Sequence, residues 1–179
     1  MRILTTGVTE LDREKFKTDG KIMLNKPFYG LYGSTATYLD GKLWSSWLDF
    51  VLGSEYAIDK YIGGGGITYT LHKNAKIYTI DNIDDYLNLL KDYPIMEYDK
   101  RGVDWDKFKN DYDAFHLTLN GFYDLRLIYD DDCYFDNCRI QDFYAYDAET
   151  WIIFNFDCIN LGSVRNVSLS YLKKIFYND

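Results

Sequence analysis

Apolar positions along the chain fall into two spacings, one of two residues and one of three to four, and the two alternate. Arg2 to Val8 predicts a short first strand, and residues 28–35 (Phe-Tyr-Gly-Leu-Tyr-Gly-Ser-Thr) predict a second, with Pro27 at its edge. Trp44, Trp47, Leu48, Val51 and Leu52 then recur at i, i+3, i+4, i+7 and i+8, an apolar stripe on a helix that stops at Gly53. Ile67–Leu71 and Lys76–Ile80 read as two strands joined by a turn around Asn74. Asp81 or Asn82 caps a helix carrying Ile83, Leu87 and Leu90, which ends before Pro94. Asp104 caps a short helix through Trp105, Phe108 and Tyr112. Ala114–Leu119, Leu125–Tyr129 and Trp151–Phe154 are of strand length and rich in aromatic or β-branched residues. Ser168 caps a last helix through Leu169, Leu172 and Phe176.

This order predicts an α+β fold, mixed or antiparallel sheets with flanking helices, in a single domain over residues 1–179. No period of repeat length recurs. Gly63–Gly66 is expected as a mobile loop between a helix and a strand, since no Lys-Ser/Thr follows to make it a phosphate loop.

Composition narrows the function. The 47% apolar content, with 18 Tyr, 11 Phe and 4 Trp, is that of a folded chain. With 20 Lys+Arg against 28 Asp+Glu the net charge is −8, which argues against general nucleic-acid binding. The same charge suits a protein that occupies a nucleic-acid-binding groove of a partner, its carboxylates standing in for phosphates. No apolar run reaches the length of a membrane span, and the start breaks at Gly7 before a signal-peptide core forms. A cytoplasmic location is expected, in the host cytoplasm if the protein is phage-encoded. The odd set Cys133, Cys138 and Cys158 lacks nearby histidines, so reduced thiols and no metal site are expected.

Few residues carry recognisable chemistry. His72 and His116 stand alone in apolar stretches, no GxSxG elbow is present, and His116 reads as a satisfied sheet or core histidine. Asp130-Asp131-Asp132 reads as a solvated turn. Asp147 and Glu149 differ: they stand two apart at the mouth of a buried-looking strand, where extended backbone points both to one face. A carboxylate fixed beside aromatics can stabilise an oxocarbenium-like ribosyl centre or accept from ribose hydroxyls. A nuclease or glycosidase using the pair as acid and base is a further possibility.

The run Asp147-x-Glu149-Thr150-Trp151-Ile152-Ile153-Phe154-Asn155-Phe156-Asp157-x-Ile159 resembles the final catalytic segment of ADP-ribosyltransferases, where an acid-x-Glu pair leads into the last catalytic strand. Residues 30–36 (Gly-Leu-Tyr-Gly-Ser-Thr-Ala) resemble the aromatic-hydrophobic-Ser-Thr-Ser strand lining that family's NAD pocket, and the intervening elements follow in the family's order over residues 3 to 160. The resemblance implies that Glu149 is the catalytic glutamate, holding the nicotinamide ribose, with Asp147 the partner that selects the acceptor. It places Ser34 in support of that glutamate and Thr35 beside it, and leaves Tyr32 and Tyr38 either to face the nicotinamide ring or to serve in the core. Thr5 and Thr6 stand where the family's first strand ends in a dinucleotide-clamping Arg or His, and a threonine supplies no charge to a pyrophosphate. Asp147 is also shorter than the Gln or Glu usual at its position.

What the resemblance implies is a mono-ADP-ribosyltransferase that moves ADP-ribose from NAD to a host macromolecule. The Asn/Asp/Ile/Tyr/Lys-rich, Pro-poor composition fits an AT-rich bacterial or phage genome. The alternative is a non-catalytic acidic inhibitor of the anti-restriction or anti-CRISPR kind, which keeps the fold, lacks the clamp and binds a nucleic-acid-handling host protein. The acid-rich stretch Asp124 through Asp142, next to the catalytic segment, would be its binding face.

Overall fold

The computed structural model describes residues 1–13, 26–27, 29–53, 62–97, 100–126, 134–140 and 146–177. Its main strands are β1 (Arg2–Thr6), β2 (Leu31–Leu39), β3 (Lys42–Trp44), β4 (Gly66–Leu71), β5 (Ile77–Ile80), β8 (Ala114–Leu117), β11 (Thr150–Ile153) and β12 (Ile159–Val167). They form one eight-stranded sheet in the order β12-β4-β1-β2-β11-β8-β5, with β3 folded as a hairpin onto β2. Neighbours pair antiparallel except β5 and β8, which are parallel. A small second sheet runs β6 (Pro94–Glu97), β7 (Lys100–Val103), β10 (Cys138–Ile140), β9 (Tyr134–Phe135).

Helices α1 (Ser46–Leu52), α2 (Ile83–Asp92), α3 (Trp105–Asp111), α4 (Leu119–Arg126) and α5 (Leu169–Tyr177) flank the main sheet. The fold is therefore α+β with mixed sheets. On β1, Ile3 and Leu4 are both buried because both faces of the strand are covered. Leu4 packs with Ala36, Leu43, Leu48, Val51 and Leu172, while Ile3 packs with Ile67, Tyr69, Trp151 and Ile153. A third core seats Phe115, Leu117 and Ile152 against Tyr86, Leu89, Trp105, Phe108 and Phe122 from α2, α3 and α4. Double-sided packing buries all four residues of β8 and all four of β11.

Helix α1 starts later than expected: Trp44, read on its apolar stripe, ends β3, and Ser45 caps the helix by accepting from the Leu48 amide. Three other starts follow the sequence expectations, and Asn82 and Asp85 form a reciprocal capping box. Asp104 accepts from Lys107 N and Ser168 from Tyr171 N.

Three further expectations change. Residues 125 and 126, read as the start of a strand, end helix α4 instead, and residues 127–129 lie outside the described residues. Thr118, read as part of the preceding strand, starts that helix: its hydroxyl accepts from Gly121 N at 3.0 Å. The glycine run is a packed turn rather than a slack connection. Gly65, at φ +101°, accepts from Gly7 N and donates to Ile62 O, both at 2.9 Å. A Cβ on Gly65 would lie 2.5 Å from the Val167 carbonyl, and one on Gly66 2.6 Å from that of Thr5. Two backbones pass too close there for any side chain.

No helix among the described residues is long and apolar enough to cross a membrane. Cys158 is a buried free thiol, its pKa pushed up to about 12 chiefly by burial, and Cys138 is also free. Cys133 and Asp130–Asp132 lie outside the described residues.

Candidate functional site

Strands β1, β2, β11 and β8 are adjacent, which brings four distant stretches of sequence side by side. Leu4 pairs with Ser34, Trp151 with Gly33, and Trp151 with His116 across the next ladder. Glu149, one residue before β11, therefore stands level with Thr35. Its side chain is only 7% exposed.

Four donors hold the carboxylate. Oε2 accepts from the Thr35 amide at 3.1 Å and from the Ser34 hydroxyl at 3.4 Å. Oε1 accepts from the Thr35 hydroxyl and from Nε2 of His116, the latter at 2.8 Å. An ionised carboxylate offers about four lone-pair sites, so all of its capacity is used. Burial alone would raise the Glu149 pKa. The hydrogen bonds from His116 and Thr35, aided by the His116 charge and the Thr35 amide, outweigh it and hold the carboxyl below its ordinary range.

Around this carboxylate the polar groups continue. The Ser34 hydroxyl shares a hydrogen bond with Ser46 at 3.2 Å and accepts from Trp47 N at 3.4 Å, tying β2 to the start of α1. The Trp151 indole donates to the Thr35 hydroxyl at 3.0 Å, and its ring stacks on His116. Buried polar groups in such a network restrict one another's rotamers.

No protein-family model, curated protein or solved structure matches this chain. The site is therefore weighed on its own geometry.

Of the residues singled out in the sequence, Ser34, Thr35 and Glu149 come together. Asp147 does not join them. Residues 146–149 precede the strand, with 148 and 149 in a bend where Thr150 donates back to the Ala148 carbonyl at 2.8 Å, so the two-residue alternation does not apply. Asp147 is exposed while Glu149 is buried. Lys26 interacts electrostatically with Asp147, and its ammonium lies 5.0 Å from the Tyr32 ring and 5.1 Å from the Tyr146 ring.

Thr5 is also turned away. It is buried, donates to the Tyr32 carbonyl at 2.7 Å, and its hydroxyl lies 3.3 Å from that of Tyr69. Thr6 accepts from the Trp47 indole at 2.9 Å. Arg2 reaches the other way, to Thr68 and the Ser163 carbonyl. Tyr32 packs against the helix-covered core and donates to the Pro27 carbonyl. Tyr38 is 61% exposed beyond the sheet centre, opposite Leu43 in the β2–β3 hairpin.

Sequence reasoning missed His116 as a partner, together with Trp151, Ser46 and Trp47. Only the strand register joins His116 to Trp151 and so to Glu149, and a lone histidine carries no sign of it. A cavity of about 660 Å³ opens at the opposite end of β11, among His72, Lys76, Lys109, Tyr112, Asp113 and Asn155. Within it Asp113 is already committed, accepting from Lys76 N and Asn155 Nδ2.

Proposed function

We propose that this chain has an ADP-ribosyltransferase-like fold and transfers ADP-ribose from NAD to a macromolecular acceptor, with Glu149 as the catalytic carboxylate. The observation that carries the reading is the grip of Ser34 and Thr35 on Glu149, residues that the family resemblance put in one site and that lie 115 and 114 positions apart. A buried carboxylate kept ionised by fixed donors is arranged in advance to face a developing cation.

In the transfer, the bond between ribose C1′ and the nicotinamide nitrogen breaks, and its electron pair neutralises the ring. Positive charge builds on the ribosyl carbon and ring oxygen, and the Glu149 carboxylate stabilises it. A lone pair of the acceptor then bonds to C1′ and the acceptor releases its proton. Glu149 also accepts from a ribose hydroxyl, for which one present donor must yield. The Ser34 hydroxyl, longest of the four at 3.4 Å and already shared with Ser46, is the one to yield.

The one cation of the first strand, Arg2, is turned to Thr68 and the Ser163 carbonyl, and Thr5 is spent on the backbone of β2. The nucleotide charge is therefore met outside β1. The inhibitor alternative places its binding face in the stretch from 124 to 142, of which Asp130, Asp131, Asp132 and Asp142 lie outside the described residues. The transferase is preferred on the grouping of Ser34 and Thr35 around Glu149 alone.

The test incubates adenine-labelled NAD with a bacterial lysate and either wild type or Glu149→Gln. Label should pass to macromolecules with wild type and fall about a hundredfold or more with the variant. A wild type that neither transfers label nor releases nicotinamide overturns the proposal.

A further inference from the structure

His116 is a buried titratable group that the reaction above leaves without a role. Its contacts form a closed ring. The Trp151 indole donates to the Thr35 hydroxyl, that hydroxyl donates to Oε1 of Glu149, and His116 Nε2 reaches the same oxygen at 2.8 Å. The ring closes where the imidazole lies on the Trp151 indole, centroids 3.8 Å apart and planes 13° from parallel. His116 and Trp151 are directly opposed cross-strand neighbours on β8 and β11, so the sheet itself sets the stack.

The two carboxylate oxygens are held unequally. Oε1 has two donors tied to the stack, the Thr35 hydroxyl through the Trp151 indole and His116 Nε2 directly at 2.8 Å. Oε2 has one backbone amide at 3.1 Å and the looser Ser34 hydroxyl, which has Ser46 as another partner. Since an ionised carboxylate accepts only, the proton of the 2.8 Å contact resides on His116 Nε2.

We infer that His116, seated on Trp151, is a positioning residue that locks Oε1 of Glu149 and so reserves Oε2 for a hydroxyl of the substrate ribose. The substrate in this statement rests on the transferase reading, whereas the lock belongs to the chain alone. Of the groups facing the carboxylate, β8 contributes His116, β2 contributes the uncharged Ser34 and Thr35, and β11 contributes Trp151 acting through Thr35. Asp147, on the same segment, is exposed to solvent.

The test follows the Glu149 side-chain carboxyl by ¹³C NMR across pH in wild type, His116→Phe and His116→Gln, beside the pH profile of nicotinamide release. His116→Phe keeps a ring for the stack and loses the donor, whereas His116→Gln keeps a donor. In His116→Phe the Glu149 midpoint should rise, kcat should fall about tenfold to a hundredfold, and the acid limb of the profile should move up with the midpoint. His116→Gln should recover most of that loss. A folded His116→Phe with an unchanged midpoint and profile, or a His116→Gln as impaired as His116→Phe, overturns the inference.

Imidazole ¹⁵N spectra of wild type give a readout that needs no variant. The proton should reside on Nε2 wherever Glu149 is ionised, and a bare Nε2 there overturns the lock. If wild type releases no nicotinamide, the transferase reading fails while the carboxyl titration and the imidazole spectra still decide the role of His116.

Discussion

The hydroxyl of Ser34 and the carboxylate of Glu149 meet at 3.4 Å across 115 residues of sequence. Neither end is loose. Ser34 lies within β2 and is bonded to Ser46 at the start of α1, while Glu149 enters β11 level with Thr35. A contact between a residue of β2 and the residue that enters β11 is held by the ladder between those strands.

Glu149→Gln should destabilise the fold as well as remove activity. An amide puts an NH₂ group where Glu149 now only accepts, leaving at least one buried donor opposed, at a cost of about 1–3 kcal/mol. The pH dependence has a definite sign. Because the folded pKa of Glu149 lies below its unfolded value, the carboxylate contributes stability above the unfolded value, about 4.3. That contribution is lost as pH falls through the lower folded value. Urea unfolding at pH 7, 5 and 3 should therefore show the gap between wild type and Glu149→Gln closing from pH 5 downward.

Thr5→Val should cost about 1 kcal/mol, from the lost hydrogen bond to the Tyr32 carbonyl, and leave nicotinamide release unchanged. Denaturation and NAD turnover on the same preparation check this. A large loss of turnover without loss of stability would return Thr5 to the substrate.

Gly121→Ala raises helix propensity yet should destabilise. A Cβ at Gly121 would lie 2.4 Å from the Ile80 carbonyl, where α4 presses on the end of β5, so backbone must move at a cost of about 1–3 kcal/mol. Thermal unfolding gives the sign directly.

Asn82→Ala removes the acceptor for Asp85 N and breaks the capping box of α2. The expected loss is about 1 kcal/mol, read from the urea midpoint at unchanged slope.

These variants mark what the sequence did and did not reveal. Caps at Asn82, Asp104 and Ser168 and the stripes beside them were legible because helix starts are local. Helix α4 was hidden by Gly121, which suggests a break but is there because the helix lies against Ile80. Strand β12 was hidden by its polar edge, Asn160, Gly162, Ser163, Arg165 and Asn166, and by a register shift between Asn160 and Arg165. Within the site, Ser34, Thr35 and Glu149 came from motif order. His116 needed the β8–β11 register, a tertiary fact, and the partner of Thr5, the Tyr32 carbonyl, likewise lies on a neighbouring strand.

The central claim is that NAD binds at Glu149, and it is tested most directly by adding NAD to ¹⁵N-labelled protein and following the Thr35 amide and the Trp151 indole N–H. Both protons belong to the network around the carboxylate, one bonded to Oε2 and the other to the Thr35 hydroxyl. The account predicts that both resonances shift saturably with NAD in wild type, and that the saturable shift is lost in Glu149→Gln. Resonances that stay fixed in wild type at millimolar NAD would contradict it.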